Sequence, residues 1–187
     1  DLPCCADVLV VGAGVAGIST ALAVARNNRK VYLIEKTPCI GGKVAEHEDL
    51  YPDMACASCV MESQLDEVLH HDNIEVLTLT ELMEVKGFLG NFVAGIRQKA
   101  RFVDMDACIG CGACFEACPV AVPGLFMEGM ASRKAIHVPY AGALPNVALI
   151  DEDHCLRFQG ESCRACLEGC PFGAIQYEEI EEIRELK

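Results

Sequence analysis

The feature that most constrains this chain is a run of cysteines at fixed spacing that ends in Cys-Pro. Cys108, Cys111, Cys114 and Cys118 form the pattern C-x2-C-x2-C-x3-C-P. Thiolates are soft, anionic ligands, and four of them hold a cubane iron–sulfur cluster. The x2 steps allow three sulfurs of one loop to reach one cube. The x3 step carries the fourth cysteine onto a helix and towards a second cluster.

A second copy of the pattern follows later in the chain. Its cysteines, which precede Pro171, are Cys155, Cys163, Cys166 and Cys170. Residues 103–108 align with residues 150–155, and the register resumes after a five-residue insertion in the second copy. A duplicated half-motif is what a pseudo-symmetric, two-cluster fold of the bacterial ferredoxin type requires.

We therefore assign the eight cysteines to two [4Fe–4S] clusters with crossed ligation. The first set is Cys108, Cys111, Cys114 and Cys170. The second set is Cys118, Cys155, Cys163 and Cys166. The alternative is zinc, because C-x2-C pairs also build zinc ribbons. A zinc site needs only four cysteines and no Cys-Pro step, whereas this chain has two such steps in register.

The beginning of the chain has a different pattern, that of a dinucleotide-binding βαβ unit. Residues 7–11 are short, apolar and β-branched, as in a buried parallel strand. They lead into a G-x-G-x-x-G sequence formed by Gly12, Gly14 and Gly17, and an alanine-rich helix follows. Gly12 allows the tight turn, Gly14 the approach of a pyrophosphate, and Gly17 close helix packing. The alternative is a Rossmann-like unit that has lost its ligand.

Further predicted cofactor-binding residues follow the second strand of this unit. Glu35 ends that strand and is placed to accept hydrogen bonds from an adenosine ribose. Lys36 comes next, and Gly41, Gly42 and Lys43 follow a few residues later. In FAD-binding proteins with two dinucleotide domains, a Gly-Gly pair here packs against the flavin pyrophosphate, which favours FAD over NAD. An ordinary glycine turn is the alternative.

Five cysteines lie outside the two sets. Cys56 and Cys59 form a lone C-x2-C pair, for which we considered part of a third cluster, a redox dithiol beside the flavin, or two unrelated thiols. The interpretation as a further cluster is preferred, chiefly because of the family resemblance given below. Cys4, Cys5 and Cys39 have no partner spacing, so we expect plain thiols.

The predicted fold class is α/β, with two domains. Residues 1–100 form a Rossmann-like FAD-binding half-domain, and residues 101–187 form a two-cluster ferredoxin-like α+β domain. In the first domain, we expect a helix over residues 61–71, a third strand at residues 74–78 and an antiparallel crossover over residues 82–97. Residues 178–187 are predicted to form an acidic helix with Ile180, Ile183 and Leu186 on one side.

Charge and cysteine content exclude several classes of function. A formal net charge of −13 opposes binding to nucleic acid, whose phosphates would repel the chain. No apolar run approaches the ~20 residues of a membrane span. Thirteen cysteines without an opening signal peptide indicate reduced thiols. We therefore expect a cytoplasmic protein that binds no nucleic acid and has no membrane-spanning segment.

The order of these motifs resembles that of the A subunit of heterodisulfide reductase and its homologues. The similar segments are Gly12–Gly17, Glu35-Lys36, Gly41-Gly42, Cys56-Ala57-Ser58-Cys59, Gly90-Asn91-Phe92, Arg133-Lys134-Ala135-Ile136, Pro145-Asn146-Val147-Ala148 and the two-cluster motif. The resemblance covers nearly the whole chain. A flavin half-domain that is followed by an inserted ferredoxin is specific to that group.

The resemblance implies an electron-transfer subunit of a multi-subunit redox complex that contains FAD and [4Fe–4S] clusters. In that family, FAD bifurcates or confurcates electron pairs, and partner subunits reduce a disulfide or another low-potential acceptor. The family's flavin domain resumes after the ferredoxin, but nothing here after Pro171 resembles that part. Another chain or segment would therefore complete the flavin site. The alternative function is a non-catalytic two-cluster ferredoxin that carries a vestigial Rossmann unit.

Overall fold

The computed structural model describes residues 5–47, 49–124 and 129–187, so the prediction made for Cys4 lies outside the described residues. The chain divides into two compact units. The first comprises the residues up to Ala100 together with Ile180–Lys187, and the second comprises Arg101–Glu179. Residues 180–187 thus belong to the first unit, although the sequence analysis placed them in the second domain.

The described residues form both helices and strands, and the fold is mixed α/β as predicted. The helices are α1 (Val15–Ala25), α2 (Gly42–Ala45), α3 (Ala57–His70), α4 (Ala113–Ala117) and α5 (Ala165–Gly169). The strands are β1 (Val8–Val11), β2 (Val31–Ile34), β3 (Asp49–Leu50), β4 (Ala55–Cys56), β5 (Ile74–Leu77), β6 (Thr80–Phe88), β7 (Asn91–Gln98), β8 (Ala121–Pro123), β9 (Ser132–Lys134), β10 (Ile136–His137), β11 (Leu149–Ile150) and β12 (Glu182–Leu186).

The first unit is built on a parallel sheet with the strand order β1-β2-β5. Val8 pairs with Val31, and Val31 pairs with Ile74 on its other side. These short, apolar, β-branched strands form a sheet that is buried against helices, as parallel sheets require. The third strand and the helix before it confirm the prediction from periodicity, although α3 begins four residues earlier than predicted.

Helices α1 and α3 bury regularly spaced apolar side chains in this unit. In α1 the buried residues are Ile18, Ala21, Leu22 and Ala25. In α3, Met61, Leu65 and Val68 are buried at helical spacing. The small alanines of α1 allow it to pack closely, which places the start of the helix at the carboxyl end of β1.

A second, antiparallel sheet in the first unit has the order β12-β7-β6. Strands β6 and β7 form the predicted antiparallel pair, with Phe88 opposite Asn91 at the tight turn. Strand β12 pairs along the other edge of β7, with Leu186 opposite Ala94. Ile34, Leu77 and Ile96 form a buried cluster against which Leu186 packs.

The prediction of a helix over residues 178–187 is wrong, because this segment contributes β12. The predicted apolar stripe does not exist: Ile180 and Ile183 are 82% and 73% exposed. Arg184 and Leu186 instead share one face at the strand period of two. Arg184 donates a 2.8 Å hydrogen bond to Glu75 on β5. Tertiary pairing has therefore overridden the helical tendency of a Glu-rich sequence.

The second unit contains the duplicated cysteine motifs. It holds the short helices α4 and α5 and two small antiparallel pairs, β8-β9 and β10-β11. Val103 forms an isolated antiparallel bridge with Ile175. A Cβ added to Gly169 of α5 would lie 2.8 Å from the Cβ of Ala117 of α4, so the two helices touch through small residues.

In the part of the chain that the structure describes, no helix is long and apolar enough to cross a membrane.

Candidate functional site

The turn between β1 and α1 requires glycine at positions 12 and 17. Gly12 has a φ of +94°, which L side chains rarely adopt. Its amide donates a 2.8 Å hydrogen bond to the carbonyl of Ile34 at the end of β2. A Cβ on Gly17 would overlap the carbonyl oxygen of Gly12. The loop and the first turn of α1 therefore pack more closely than any other residue at position 17 would permit.

Gly14 lies at the start of α1 with open space beside it. It is the N-cap residue, in an extended conformation with φ −77° and ψ −178°. A Cβ at this position would meet no atom within 4 Å. The first-turn amides of α1 face this region without a capping side chain, and a helix N-terminus attracts anions. The loop thus leaves room for a pyrophosphate where the sequence predicts one.

The Gly41-Gly42 pair lies directly against the glycine loop. The Gly41 amide donates a 2.8 Å hydrogen bond to the carbonyl of Ala13. Gly14 and Gly41 form an isolated parallel bridge. A Cβ on Gly42 would lie 3.0 Å from the Cα of Gly14. The pair is therefore part of the same surface, rather than an unrelated turn.

Glu35 is buried at the end of β2, with its carboxylate turned towards the glycine loop. Its Oε2 accepts a 2.8 Å hydrogen bond from the Ala13 amide. Its Oε1 accepts 2.9 Å hydrogen bonds from the amide and the hydroxyl of Thr37. A carboxylate has about four acceptor positions, so one remains for a ribose hydroxyl. Lys36 is exposed, and the exposed Lys43 pairs with Glu46 at 2.9 Å.

Cys56 and Cys59 lie where α3 begins, and both are exposed. Their sulfur atoms are 2.8 Å apart, which is closer than ordinary van der Waals contact. In the same helix, the side chain of Leu65 lies 3.7 Å from a Cβ position on Gly41. Of the two other described cysteines in this unit, Cys39 is buried and Cys5 is exposed.

In the second unit, each cysteine motif begins with the same backbone turn. The Cys108 amide donates to the carbonyl of Asp104 at 3.0 Å, and the Cys155 amide donates to that of Asp151 at 3.0 Å. The Asp104 carboxylate accepts from the Asp106 amide, and the Asp151 carboxylate accepts from the Asp153 amide. The repeat in the sequence is therefore also a repeat in local structure.

Two cavities in the second unit are each lined by four cysteines. The residues around one cavity include Cys108, Cys111, Cys114 and Cys170. The residues around the other include Cys118, Cys155, Cys163 and Cys166. Each cavity thus brings together three cysteines of one motif and the last cysteine of the other. These are the two sets that the crossed pattern predicts.

The crossing follows from how α4 and α5 end. Cys114 lies within α4, whereas Cys118 follows it in an extended conformation, with φ −69° and ψ 123°. Cys170 leaves α5 in the same way, with φ −87° and ψ 111°. Because the two helices touch, each departing cysteine reaches the cavity of the other motif. The two Cys-Pro steps fit this geometry, because proline disfavours a helical conformation for the residue before it.

In each set, the electrostatics of the cavity disfavour ionisation of one buried thiol. Burial, together with the nearby Cys108 and Cys170, raises the pKa of the Cys114 thiol to about 11. Burial likewise raises the pKa of the Cys166 thiol, and the nearby Cys155 and Cys118 raise it further. Thiols that mutually oppose ionisation become thiolates only when a metal cation supplies the compensating charge. The donor chemistry of both sets therefore fits iron.

Two contacts in the second set were not found by sequence reasoning. The Tyr177 hydroxyl lies 3.0 Å from the sulfur of Cys166. The Lys134 ammonium donates a 2.9 Å hydrogen bond to the carbonyl of Cys118. Neither residue belongs to a spacing pattern. The sequence signals were the place of Lys134 in the segment Arg133-Lys134-Ala135-Ile136 and the position of Tyr177 just after the second motif.

Sequence comparisons match both parts of the chain. Residues 7–59 match the family described as FAD dependent oxidoreductase, and residues 101–123 match the family described as 4Fe-4S binding domain. A solved L-proline dehydrogenase from P. horikoshii matches 50% of this chain and 19% of its own, at 22% identity and a TM-score of 0.44.

Similar curated proteins cover nearly the whole chain. The chain is 43% identical over 96% of its length to the iron–sulfur A subunit of the CoB–CoM heterodisulfide reductase of Methanocaldococcus jannaschii. It is 42% identical over 94% of its length to the A subunit of the H(2):CoB-CoM heterodisulfide,ferredoxin reductase of Methanothermobacter thermautotrophicus. In both cases, the chain spans about a quarter (26%) of the length of the relative.

Proposed function

Because the chain belongs to the family of heterodisulfide reductase A subunits, we propose that it forms the electron-transfer part of a reductase subunit that contains FAD and two [4Fe–4S] clusters. The observation that supports this proposal best is the division of eight cysteines between two cavities. A glycine-loop unit precedes them in the chain. FAD can exchange electrons in pairs or one at a time and each cluster exchanges them singly, so the bound groups together would connect two-electron and one-electron carriers.

In the first unit, the proposed FAD site uses the residues that surround the open space at Gly14. The amides at the start of α1 bind the pyrophosphate, and Gly41-Gly42 borders it. Glu35 holds the loop through the Ala13 amide and has one acceptor position left for the ribose. Lys36 and Lys43 are exposed near these elements and add positive charge around the phosphates.

A segment outside these residues is proposed to complete the flavin site. Val11 and Val15 lie at the two ends of the glycine loop, and they are 59% and 42% exposed. Apolar side chains beside a cofactor site are suited to being covered by further protein. Relatives about four times as long as this chain have residues that can supply the cover. We also propose that the chain works in a multi-subunit redox complex, because the relatives are named as subunits of heterodisulfide reductases.

In the second unit, the first and second sets are the proposed cluster ligands. Each set supplies four thiolates, which a cubane cluster requires. The touching helices α4 and α5 hold the two cavities in one small unit. Electrons therefore have a short route between the proposed clusters. We propose that this unit passes electrons to and from FAD, in support of disulfide reduction and flavin-based electron bifurcation by the complete assembly.

A second candidate function is a two-cluster ferredoxin with a vestigial Rossmann unit. It would keep the clusters but bind no flavin. The conformation of Gly12, the open space at Gly14 and the remaining acceptor position on Glu35 all favour a working site. A flavin absorbance spectrum of the assembled complex distinguishes the two functions, because the second one predicts no flavin bands from this site.

The cluster proposal is tested by metal analysis of the anaerobically purified protein. We expect about eight iron atoms and eight sulfides from the two sets. Cys111→Ser should impair the cluster of the first set, and Cys118→Ser should impair that of the second, as followed by electron paramagnetic resonance (EPR). Iron content near zero with bound zinc would refute the proposal. Loss of the first cluster in Cys118→Ser would refute the crossed ligation alone.

A further inference from the structure

Tyr177 makes a direct contact with one sulfur of the second set. Its hydroxyl oxygen lies 3.0 Å from the Cys166 sulfur, within hydrogen-bonding distance for a sulfur acceptor. As a cluster ligand, Cys166 would be a thiolate, which can only accept. The phenol must then be the donor, since it has the one available proton.

The Tyr177 ring contacts two side chains of the loop that follows Cys155. The Arg157 guanidinium carbon lies 4.3 Å from the ring centroid. The Phe158 ring meets it edge-on, with centroids 6.3 Å apart and an angle of 74° between the planes. Phe158 in turn packs against the buried Phe102 at 4.5 Å. Both Arg157 and Phe158 belong to the longer loop between Cys155 and Cys163, which has no counterpart in the first motif.

The two sets differ in burial and in their hydrogen bonds. Cys118, Cys155 and Cys166 of the second set are buried, whereas only Cys114 of the first set is. Within the described residues, the first set receives a sulfur hydrogen bond from the backbone, with the Ala174 amide 3.4 Å from the Cys170 sulfur. The second set receives its sulfur hydrogen bond from a side-chain hydroxyl, that of Tyr177. The Lys134 ammonium also lies 2.9 Å from the carbonyl of Cys118.

These differences act in opposite directions on a cluster's reduction potential. Reduction adds one negative charge, and burial disfavours that charge, so deeper burial lowers the potential. A hydrogen bond to a ligating sulfur and a nearby cation both stabilise the added charge and raise the potential. The second set is the more deeply buried one. It also has the two groups that offset the effect of burial, the Tyr177 hydroxyl and the Lys134 ammonium.

We propose that Tyr177 is a potential-setting residue, whose hydroxyl donates to the Cys166 thiolate and raises the reduction potential of the second cluster against the effect of its burial. The inference rests on the proposed function, because it requires a cluster at the second set. One electron enters the cluster on reduction. The proton stays on the phenol oxygen, so no bond is made or broken in the protein.

The test is Tyr177→Phe, which removes the hydroxyl and keeps the ring. We expect the equilibrium constant for one-electron reduction of the second cluster to fall by up to about tenfold, because the hydrogen bond is stronger to the more negative, reduced cluster and only this difference enters the potential. For one electron, a tenfold change corresponds to about 59 mV. EPR-monitored redox titration of the cluster-loaded protein measures the change. The signal of the second cluster is identified as the one altered by Cys163→Ser.

Two further variants make the test specific. Tyr32→Phe deletes the same hydroxyl group in the first unit, where the ring lies beneath Lys30, and should shift neither cluster. Phe158→Leu keeps the phenol but loosens its support. It should lower the potential of the second cluster by less than Tyr177→Phe does. This variant also provides the measurement if Tyr177→Phe lowers the iron content.

The outcomes separate this inference from the function on which it rests. Absence of iron and sulfide from the wild-type protein would refute the cluster proposal itself. Normal iron content with unchanged potentials in Tyr177→Phe would overturn the role of Tyr177 and leave the cluster proposal in place. An equal shift of both clusters would also overturn it, because a single hydrogen bond acts on one cluster. If Tyr177→Phe loses iron, an unchanged potential in Phe158→Leu overturns the inference.

Discussion

Gly14 and Gly17 differ by three positions, yet their substitution should have opposite consequences. The Gly14 backbone, at φ −77° and ψ −178°, is accessible to any L residue. A Cβ there meets no atom within 4 Å. In the absence of flavin, we therefore expect Gly14→Val to lower the free energy of unfolding by no more than about 1 kcal/mol, which is the typical difference between a good N-cap residue and an apolar one.

Flavin binding by Gly14→Val should fall sharply, because the branched side chain would occupy the space that the pyrophosphate needs. Loss of one hydrogen bond to a charged phosphate corresponds to about 1.5–3 kcal/mol. Since about 1.4 kcal/mol is a factor of ten, the Kd for FAD should rise roughly 10- to 150-fold. Steric exclusion of the phosphate would add to this value, so it is a lower estimate.

Gly17→Ala is the matched control, since its added methyl group points into the protein. That methyl would overlap the carbonyl oxygen of Gly12, and relieving the clash requires α1 to move away from the loop. Overpacking of this kind costs about 1–3 kcal/mol. Gly17→Ala should therefore lower the unfolding temperature of the flavin-free protein more than Gly14→Val does.

Two measurements on the anaerobically purified variants are sufficient. Flavin content and Kd come from absorbance and fluorescence titration with FAD, and stability comes from thermal unfolding of the flavin-free form. Unchanged FAD affinity in Gly14→Val would refute the position of the phosphate. A loss of stability in Gly14→Val as large as that in Gly17→Ala would show that the space beside Gly14 is not open.

Two further predictions concern the C-x2-C pair and β12. The Cys56→Ser, Cys59→Ser double variant should lower the iron content of the assembled complex below that of the wild type. Cys5→Ser is the control. Unchanged iron content together with the loss of a reducible disulfide would instead identify a redox dithiol. Arg184→Gln should speed hydrogen exchange of the β12 amides up to about fivefold, because the pair with Glu75 is partly exposed and contributes at most about 1 kcal/mol. Burial raises the pKa of Glu75, but hydrogen bonds from Arg184 and Lys30 lower it more, so it lies below its ordinary value. The ion pair of Arg184 with Glu75 then stabilises the fold at pH values above the ordinary pKa of Glu75, and this stabilisation is lost only as the pH falls through the lowered pKa. The effect of Arg184→Gln should therefore be the same at pH 8 and pH 6. A marked difference between those two pH values would contradict this assignment, and Lys30→Gln is the matched substitution on the other partner of Glu75.

The elements that could be predicted from the sequence are those in which the local residue pattern and the packing in the folded protein favour the same structure. Strand β1, the glycine loop and α1 follow one another without interruption, so strand period, turn chemistry and helix composition all indicate the same βαβ unit. The sequence predicts the antiparallel pair β6–β7 with its turn at Gly90-Asn91, and the structure forms the pair with the turn one residue earlier, at Leu89-Gly90, so that Phe88 lies opposite Asn91. The crossed cysteine sets were likewise expected from spacing, because the x3 step and proline fix where each helix must end.

Strand β12 could not be predicted, because its partner is remote in sequence. A Glu-rich segment has a local preference for helix. Its apolar residues recur at intervals that fit a helix, and no local signal opposes this interpretation. What decides the conformation is the edge of β7, where Leu186 lies opposite Ala94. The contact with Glu75 of β5, 109 residues away, adds to this pairing. Such long-range pairing is not encoded in any window of the sequence.

The longer loop after Cys155 shows how a departure from a motif can carry information that the motif does not. In the sequence, the five added residues are only a break in the duplicated register. In the structure, that loop supplies Arg157 and Phe158, which both contact the ring of Tyr177. The position of a hydroxyl group 3.0 Å from Cys166 therefore depends on the insertion rather than on the cysteine spacing. A duplication first makes two equivalent clusters, and an asymmetry of this kind then allows their potentials to be set independently. Shortening the loop to the length in the first motif should abolish the effect of Tyr177→Phe, because the phenol would no longer be held against the sulfur.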